Sequence, residues 1–294
     1  TYFVQDDFYY FKLIYGKTAS DIFTFFIPLR DAVWYRPLSA QFFFFVMKGI
    51  FGLRPFFFHL IVFITHTATM VMLYNLVLYT FRKRIISTFS ALFYGIHQIH
   101  TVSLGWLATY SFILSPFLIC AALSFYIRKK FSKAFIFFVL AMLASEVAIV
   151  FPITIFFYEL LTQRKQFRIS LPYLGIIISF VLLRFIVFSS HVQTSLYQLS
   201  FTSSIFSLLK FYLLRLIGIP MLIAEMPQYL KLIVIGLAGG LFIVGFIGLW
   251  QFYTSMNKKP VLLLFLLLAG FCLLPFLLLP NHIAPHYLSF TLLG

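Results

Sequence analysis

Residues 132–161 read SKAFIFFVLAMLASEVAIVFPITIFFYELL, an oily stretch with two acids, Glu146 near its middle and Glu159 at its end. Basic clusters flank it: Arg128–Lys129–Lys130 with Lys133 on one side, Arg164–Lys165 with Arg168 on the other. Lys and Arg concentrate in cytoplasmic loops of membrane proteins, so both ends of the stretch are expected on one side. One span needs about 20 apolar residues. The stretch therefore predicts a shallow hairpin of two short helices with Glu146 at the turn. The alternative is one long tilted helix with Glu146 neutral inside it, where a carboxylate costs about 2.5–3.5 kcal/mol at the helix centre.

The rest of the 294-residue chain fits a bilayer. It is 62% hydrophobic and 10% charged, against about 25% charge in a soluble domain. Its mean hydropathy is +1.02. No alternation of lumen-facing polar residues supports a membrane β-barrel. The fold class expected is all-α, a polytopic transmembrane helix bundle. About eight to ten membrane segments are expected at the usual span length. The clearest are 56–81, 104–127, 169–188, 230–253 and 261–279, with shorter runs at 85–100 and 204–223. The chain starts without Met or a signal peptide and ends in an apolar run, so it reads as a fragment lacking at least one helix at each end. Residues 1–55 are expected to form an extracytoplasmic loop with an interfacial amphipathic helix at 37–52, and 56–294 the transmembrane helical domain. Cys120 and Cys272 lie in apolar runs, without disulfide or metal-ligand logic.

The net charge of +15 does not call for nucleic acid. Twelve of the 22 Lys and Arg fall at four sites between apolar runs: the two clusters above, Arg82–Lys83–Arg84, and Lys258–Lys259. With these sites cytoplasmic, the QDD of Asp6 and Asp7, the HQIH of His97 to His100, Glu146, Lys210, Arg215 and the NHIAPHY loop share the opposite side. Lys12, Lys17, Arg30, Arg36, Lys48 and Arg54 lie there too, where cations are normally scarce. An anion on that side, phosphate above all, would account for them. Headgroup anchoring by an interfacial helix is the alternative for Lys48 and Arg54.

The ordered segments QDD, WYRPLS, FGLRP, FHLIVFITH, HQIHTVSLGW, LASEVAIVFP and HYLSF resemble the GT-C glycosyltransferases. The likeness is greatest to the membrane core of the TMTC and protein O-mannosyltransferase type. The family has an acidic pair after its first helix, then RPL, FGLxP and FHL-x-N-xxx-H, then HPxHxExVxW and LSKExAxxxP. A late RYLYL segment closes the series. Here these fall on Asp6–Asp7, Arg36–Leu38, Phe51–Pro55, His59 with His66, His97 with His100, Glu146 and Tyr287. Departures are Val62 for the Asn, Gln98 and Val102 for the Pro and acid of HPxHxE, Ser145 for the Lys of SKE, and His286 for the late Arg. Tyr110 and Phe112 stand where an Arg and an Asp often follow the Trp.

The resemblance implies an inverting transfer from a polyprenyl-phosphate-linked sugar to an acceptor hydroxyl on protein, lipid or glycan. One member of the Asp pair would be the general base. Asp6, Asp7 and Glu146 are the catalytic candidates, and also the ligands of a divalent metal if one is used. Glu146 could instead orient the acceptor or pair with Arg36. Arg36, Lys210, Arg215 and His286 are candidates for the donor phosphate. Tyr35, His97, His100, Trp106 and Tyr287 are expected to line the substrate cavity. The expected setting is a multi-pass protein with an extracytoplasmic site, a bacterial plasma membrane being favoured over the endoplasmic reticulum. Two other readings are kept: a transporter or flippase of lipid-linked intermediates, and a non-catalytic GT-C-like subunit of a membrane assembly.

Overall fold

A computed structural model describes residues 2–29, 34–162, 167–188, 201–202, 204–220, 223, 225–254 and 259–294. For 167–170, 183–188, 241–242, 244–254 and 259 it describes the backbone alone. Arg30, Arg164, Lys165, Lys258 and the polar run 189–200 lie outside the described residues.

Every regular element among the described residues is helical. After α1 (Asp6–Leu13) come a 3-10 segment (Ala19–Phe26) and a wide π turn (Leu38–Phe42) that runs into α2 (Phe43–Phe51). Next are α3 (Pro55–Phe81), α4 (Arg84–Ile96), the short α5 (His100–Gly105), α6 (Ser111–Ile127), α7 (Phe131–Ala144) and α8 (Val150–Leu161). Then follow α9 (Phe167–Phe188), α10 (Ser204–Leu216), α11 (Gln228–Thr254) and α12 (Lys259–Leu277). The chain closes in 3-10 turns at Pro285–Ser289 and Thr291–Leu293.

Among the described residues three stretches are long and apolar enough to cross a membrane: Pro55–Phe81, Leu107–Ile127 and Pro260–Leu277. The middle one is largely buried inside the protein, while the first exposes most of its surface. The 85–100 run forms the 13-residue α4, and the 204–223 run forms the 13-residue α10. At 1.5 Å per residue each is about 20 Å long, short of a bilayer's hydrocarbon thickness.

The stretch around Glu146 is not one continuous helix. Helix α7 ends at Ala144, Ser145 is extended, and Glu146–Ile149 form a 3-10 turn before α8 starts. In a straight helix Phe138 and Phe151 would stand about 20 Å apart. Their rings instead stack with centroids 5.9 Å apart, and Tyr173 of α9 packs on both. The chain therefore folds back at Glu146, and the far ends of α7 and α8 return to one end of the protein. There the Tyr126 hydroxyl bonds the Glu159 carboxylate. The Arg128 guanidinium covers the Tyr79 ring at 4.8 Å, so Arg82–Lys83–Arg84 and Arg128–Lys129–Lys130 share that basic end.

A large core of α3, α4, α6, α7, α8 and α12 side chains, among them Tyr94, Phe138, Phe151 and Phe276, fills the bundle. A second core at the other end gathers Tyr10, Ile14, Phe25, Phe43, Phe44 and Met47 around Phe58, Val62 and Ile113. The 37–52 stretch expected as an interfacial helix forms the π turn and α2. The helix forms, but Phe43, Phe44 and Met47 are buried under residues 3–26 rather than turned to lipid.

Candidate functional site

The end opposite the basic clusters holds the polar residues singled out above. Its centre is an ion pair between residues 110 positions apart: Arg36 Nε donates to Glu146 Oε2 at 2.8 Å. The Tyr35 backbone N–H donates to the other carboxylate oxygen at 2.6 Å, and Arg36 Nη1 donates to Ser111 Oγ at 3.3 Å. The Ser39 hydroxyl donates to the Ala144 carbonyl at 2.7 Å and holds the hairpin tip against the π turn. The Tyr35 hydroxyl ties the same segment to the Phe26 carbonyl at 2.8 Å.

Burial opposes the charge on Arg36, and the Glu146 carboxylate together with Tyr10 and Tyr287 more than offsets it, leaving the guanidinium above its ordinary value. The guanidinium also lies 5.4 Å from the Phe112 ring centroid. Arg36 has five N–H donors in a rigid fork, and only Nε and Nη1 are engaged among the described residues. The cation is thus fixed by one carboxylate while part of its fork stays open to another acceptor.

The two aspartates diverge. Asp7 is buried, accepting from the Val4 N–H at 2.9 Å and from the Ala108 N–H at 2.7 Å. Burial raises its carboxyl above the ordinary range, and those two N–H groups pull the other way. Asp7 is a strut between the start of α1 and the loop after α5. Asp6, in the same first turn, is exposed. Between them and the ion pair stands the buried Tyr10, whose hydroxyl donates to the Ala108 carbonyl at 3.4 Å. Burial raises the Tyr10 phenol, Arg36 lowers it, and Asp6 and Glu146 raise it further, so all three charges act on this one hydroxyl.

The late segment closes on the other side of Arg36. The rings of His286 and Tyr287 lie 4.8 and 5.3 Å from that of Phe112, and Tyr287 stacks on Phe276 at 4.4 Å. Burial lowers His286 to about 4, helped by the charges of Arg36 and His282. The His286 ring forms part of the wall beside Phe112.

Several expectations are corrected. His97 and His100 do not line an open cavity. His97 Nε2 meets the Leu216 carbonyl at 3.2 Å and its Nδ1 accepts from the Ile99 N–H, which fixes the α4–α5 loop on the end of α10. His100 is buried, its ring centroid 4.6 Å from that of His66 and 4.5 Å from that of Tyr94, with Ser289 Oγ 3.5 Å from Nδ1. Arg215 Nη1 donates forward to the Ile219 and Pro220 carbonyls at 2.8 and 3.0 Å, which ties the loop after α10 to the helix's last turn. Lys210 is exposed on α10, and no hydrogen bond or ion pair among the described residues joins it to Arg36 or Glu146. Trp106 is half-buried, and Thr109 bonds its carbonyl at 2.7 Å.

The metal option for Asp6, Asp7 and Glu146 finds no donor set. Among the described residues no three His, Cys, Asp or Glu side chains group closely enough to hold an ion. Both oxygens of Asp7 and of Glu146 already accept N–H groups.

Sequence reading passed over Tyr10, Ser39 and Ser111. Tyr10 stands four residues after Asp6 on one helix, a spacing that puts the two on one face. Ser39 directly follows the RPL of the 35–39 segment. Nothing local marks Ser111.

No known protein family, curated protein or solved structure matches the chain.

Proposed function

We propose that the chain is a polytopic GT-C-type glycosyltransferase that moves a sugar from a polyprenyl-phosphate donor to an acceptor hydroxyl. One observation carries this reading. Arg36 of the RPL segment and Glu146 of the LASE segment, both taken from the family likeness, meet at 2.8 Å with Phe112 and Tyr287 beside them. Their meeting is what this reading expects of two segments that serve one site.

In this reading Asp6 is the base. Asp7 is held by two backbone N–H groups, whereas Asp6 is exposed and, like Arg36 and Glu146, acts on the Tyr10 hydroxyl. Asp6 takes the acceptor's hydroxyl proton as the oxygen attacks the anomeric carbon. The carbon–oxygen bond to phosphate breaks, and polyprenyl phosphate leaves with its negative charge against the open part of the Arg36 fork. Glu146 and the Tyr35 N–H orient Arg36, with no step assigned to a metal. The site lies on the extracytoplasmic face, in a bacterial plasma membrane.

The test is sugar transfer from a labelled polyprenyl-phosphate donor in proteoliposomes. Asp6→Asn is expected to lose transfer by at least about 100-fold, the scale of general-base catalysis, with its thermal unfolding unchanged. Full activity of Asp6→Asn overturns the assignment.

A second reading has its own observation: Glu146 accepts from Arg36 and Tyr35 and so is fully engaged as a strut. That favours a non-catalytic GT-C-like subunit. Absence of transfer by the wild type with every donor tried would leave this reading standing.

A further inference from the structure

Helix α3 begins at Pro55, at the end that carries Arg36, so its first turn marks the level where hydrocarbon gives way to water. Around that level the protein exposes large apolar side chains: Tyr15 (82%), Ile50 (66%), Leu53 (62%) and Phe56 (57%). Cations stand among them. The Lys48 ammonium lies 5.9 Å from the Tyr15 ring centroid, and Arg54 is exposed at the N-cap of α3. Lys12 and Lys17, also exposed, bracket Tyr15 in the sequence.

Two features of this corner ask for an anion. Among the described residues none of these four cations forms an ion pair. Arg54 also sits at the start of a 27-residue helix, where the helix dipole already places positive charge and a cation is disfavoured. Moreover, the corner is at the end opposite Arg82–Lys83–Arg84 and Arg128–Lys130. It thus lies on the side where polytopic proteins normally avoid Lys and Arg. The buried face of α2 cannot be what anchors this region, since Phe43, Phe44 and Met47 point into the core.

We propose that the corner formed by Tyr15, Lys48, Leu53 and Arg54 holds the headgroup of an anionic phospholipid of the surrounding bilayer. The phosphate sits between the Lys48 ammonium and the Arg54 guanidinium. The glycerol shoulder and the first part of the acyl chains lie on Ile50, Leu53 and Phe56. Tyr15 contributes an aromatic ring of the amphipathic kind enriched at headgroup depth. The site is separate from the Arg36–Glu146 pair, so it stands or falls independently of the transferase reading.

The experiment is native mass spectrometry of the intact chain, released from micelles doped with equal phosphatidylglycerol and phosphatidylcholine. The expected result is at least about tenfold preferential retention of phosphatidylglycerol, falling about fivefold for each of Lys48→Gln and Arg54→Gln, and weakening with salt. Tyr15→Ala, which changes no charge, is expected to reduce retention of both lipids and gives a second arm should the double charge variant fail to fold. Equal retention of the two lipids by the wild type overturns the proposal. So does a phosphatidylglycerol preference that survives Lys48→Gln with Arg54→Gln. Displacement of the lipid by millimolar inorganic phosphate would make this a free-anion site and likewise overturns it.

Discussion

Arg36 and Glu146 form the ion pair that joins the loop before α2 to the tip between α7 and α8. Each side chain keeps about a fifth of its surface exposed, at 20% and 22%. Solvent therefore screens the pair, and its net worth falls below that of a fully buried one. Glu146→Gln is expected to destabilise the fold by about 1–3 kcal/mol, because Arg36 loses its one carboxylate partner among the described residues and the Tyr35 N–H keeps a weaker acceptor. A double-mutant cycle with Arg36→Gln, followed by thermal unfolding in detergent, should give a coupling of about 0.5–3 kcal/mol. Independent, additive effects would mean that the pair does not form.

The aspartates should separate cleanly in stability. Asp7→Ala strands the buried Val4 and Ala108 N–H groups, at a cost of about 1–3 kcal/mol for each buried group left unsatisfied. Asp6→Ala removes an exposed side chain and should change stability by no more than about 0.5 kcal/mol. Unfolding midpoints of the two variants, compared side by side, check this. A larger loss for Asp6→Ala would reverse the roles assigned to the pair.

His286 gives the fold a pH dependence. Its pKa falls from 6.5 to about 4 on folding, so the unfolded chain binds the proton first as pH drops. The stability it contributes is complete above about 6.5 and is lost as pH falls toward 4, amounting to about 3 kcal/mol over the window. His286→Phe keeps an aromatic ring beside Phe112 and should flatten the slope of unfolding temperature against pH between 6.5 and 4. An unchanged slope would assign the dependence to other groups.

Gly95 lets α4 approach α3 closely. A Cβ at that position would come within 2.2 Å of the Met70 methyl carbon. Gly95→Ala should cost at most about 1 kcal/mol, because the atoms in the way are the flexible end of Met70 and Ala is the better helix former. Adding Met70→Ala makes room for the methyl group and should make the second step less damaging than Met70→Ala is in the wild type. The cross-over is measured by chemical denaturation of the four proteins.

The shared basic end is open to chemical labelling. Cys120 and Cys272 are both buried, so native thiols need not be removed. Cysteines placed at Lys83 and Lys129 should react with an impermeant maleimide from one side of a sealed vesicle, and one at Thr18 from the other. Labelling of Lys83→Cys and Lys129→Cys from opposite sides would contradict the packing of Arg128 on Tyr79.

Much of this organisation can be read from charge placement alone. Basic residues at both ends of 132–161 already favour a chain reversal near Glu146 over one long tilted helix, because two like clusters favour one side. Which partner Glu146 takes is a matter of distance, so its pairing with Arg36 stayed one of three options until the fold brought them together. The strut role of Asp7 was hidden because its distant partner is the main chain of Ala108, and a backbone N–H leaves no mark on residue type. Arg215 misled for a related reason. A cation near a helix end suits a ligand phosphate and the carbonyls of the following loop equally well, and only the path through Ile219 and Pro220 decides between them. The π turn at 38–42 was likewise invisible. It forms where Ser39 must reach Ala144 while Phe43 and Phe44 still face Phe58.

The reversal at Glu146 also bears on how such a chain enters a membrane. Helices α7 and α8 have 14 and 12 residues, about 21 and 18 Å long, and neither can bridge the roughly 30 Å of hydrocarbon alone. An insertion machinery that tests segments one at a time as they leave the ribosome would pass over the first half. It could commit the stretch only when the second half has been made and the two partition together. In a membrane such a region would pass through an interval in which an oily half-segment waits at the aqueous boundary.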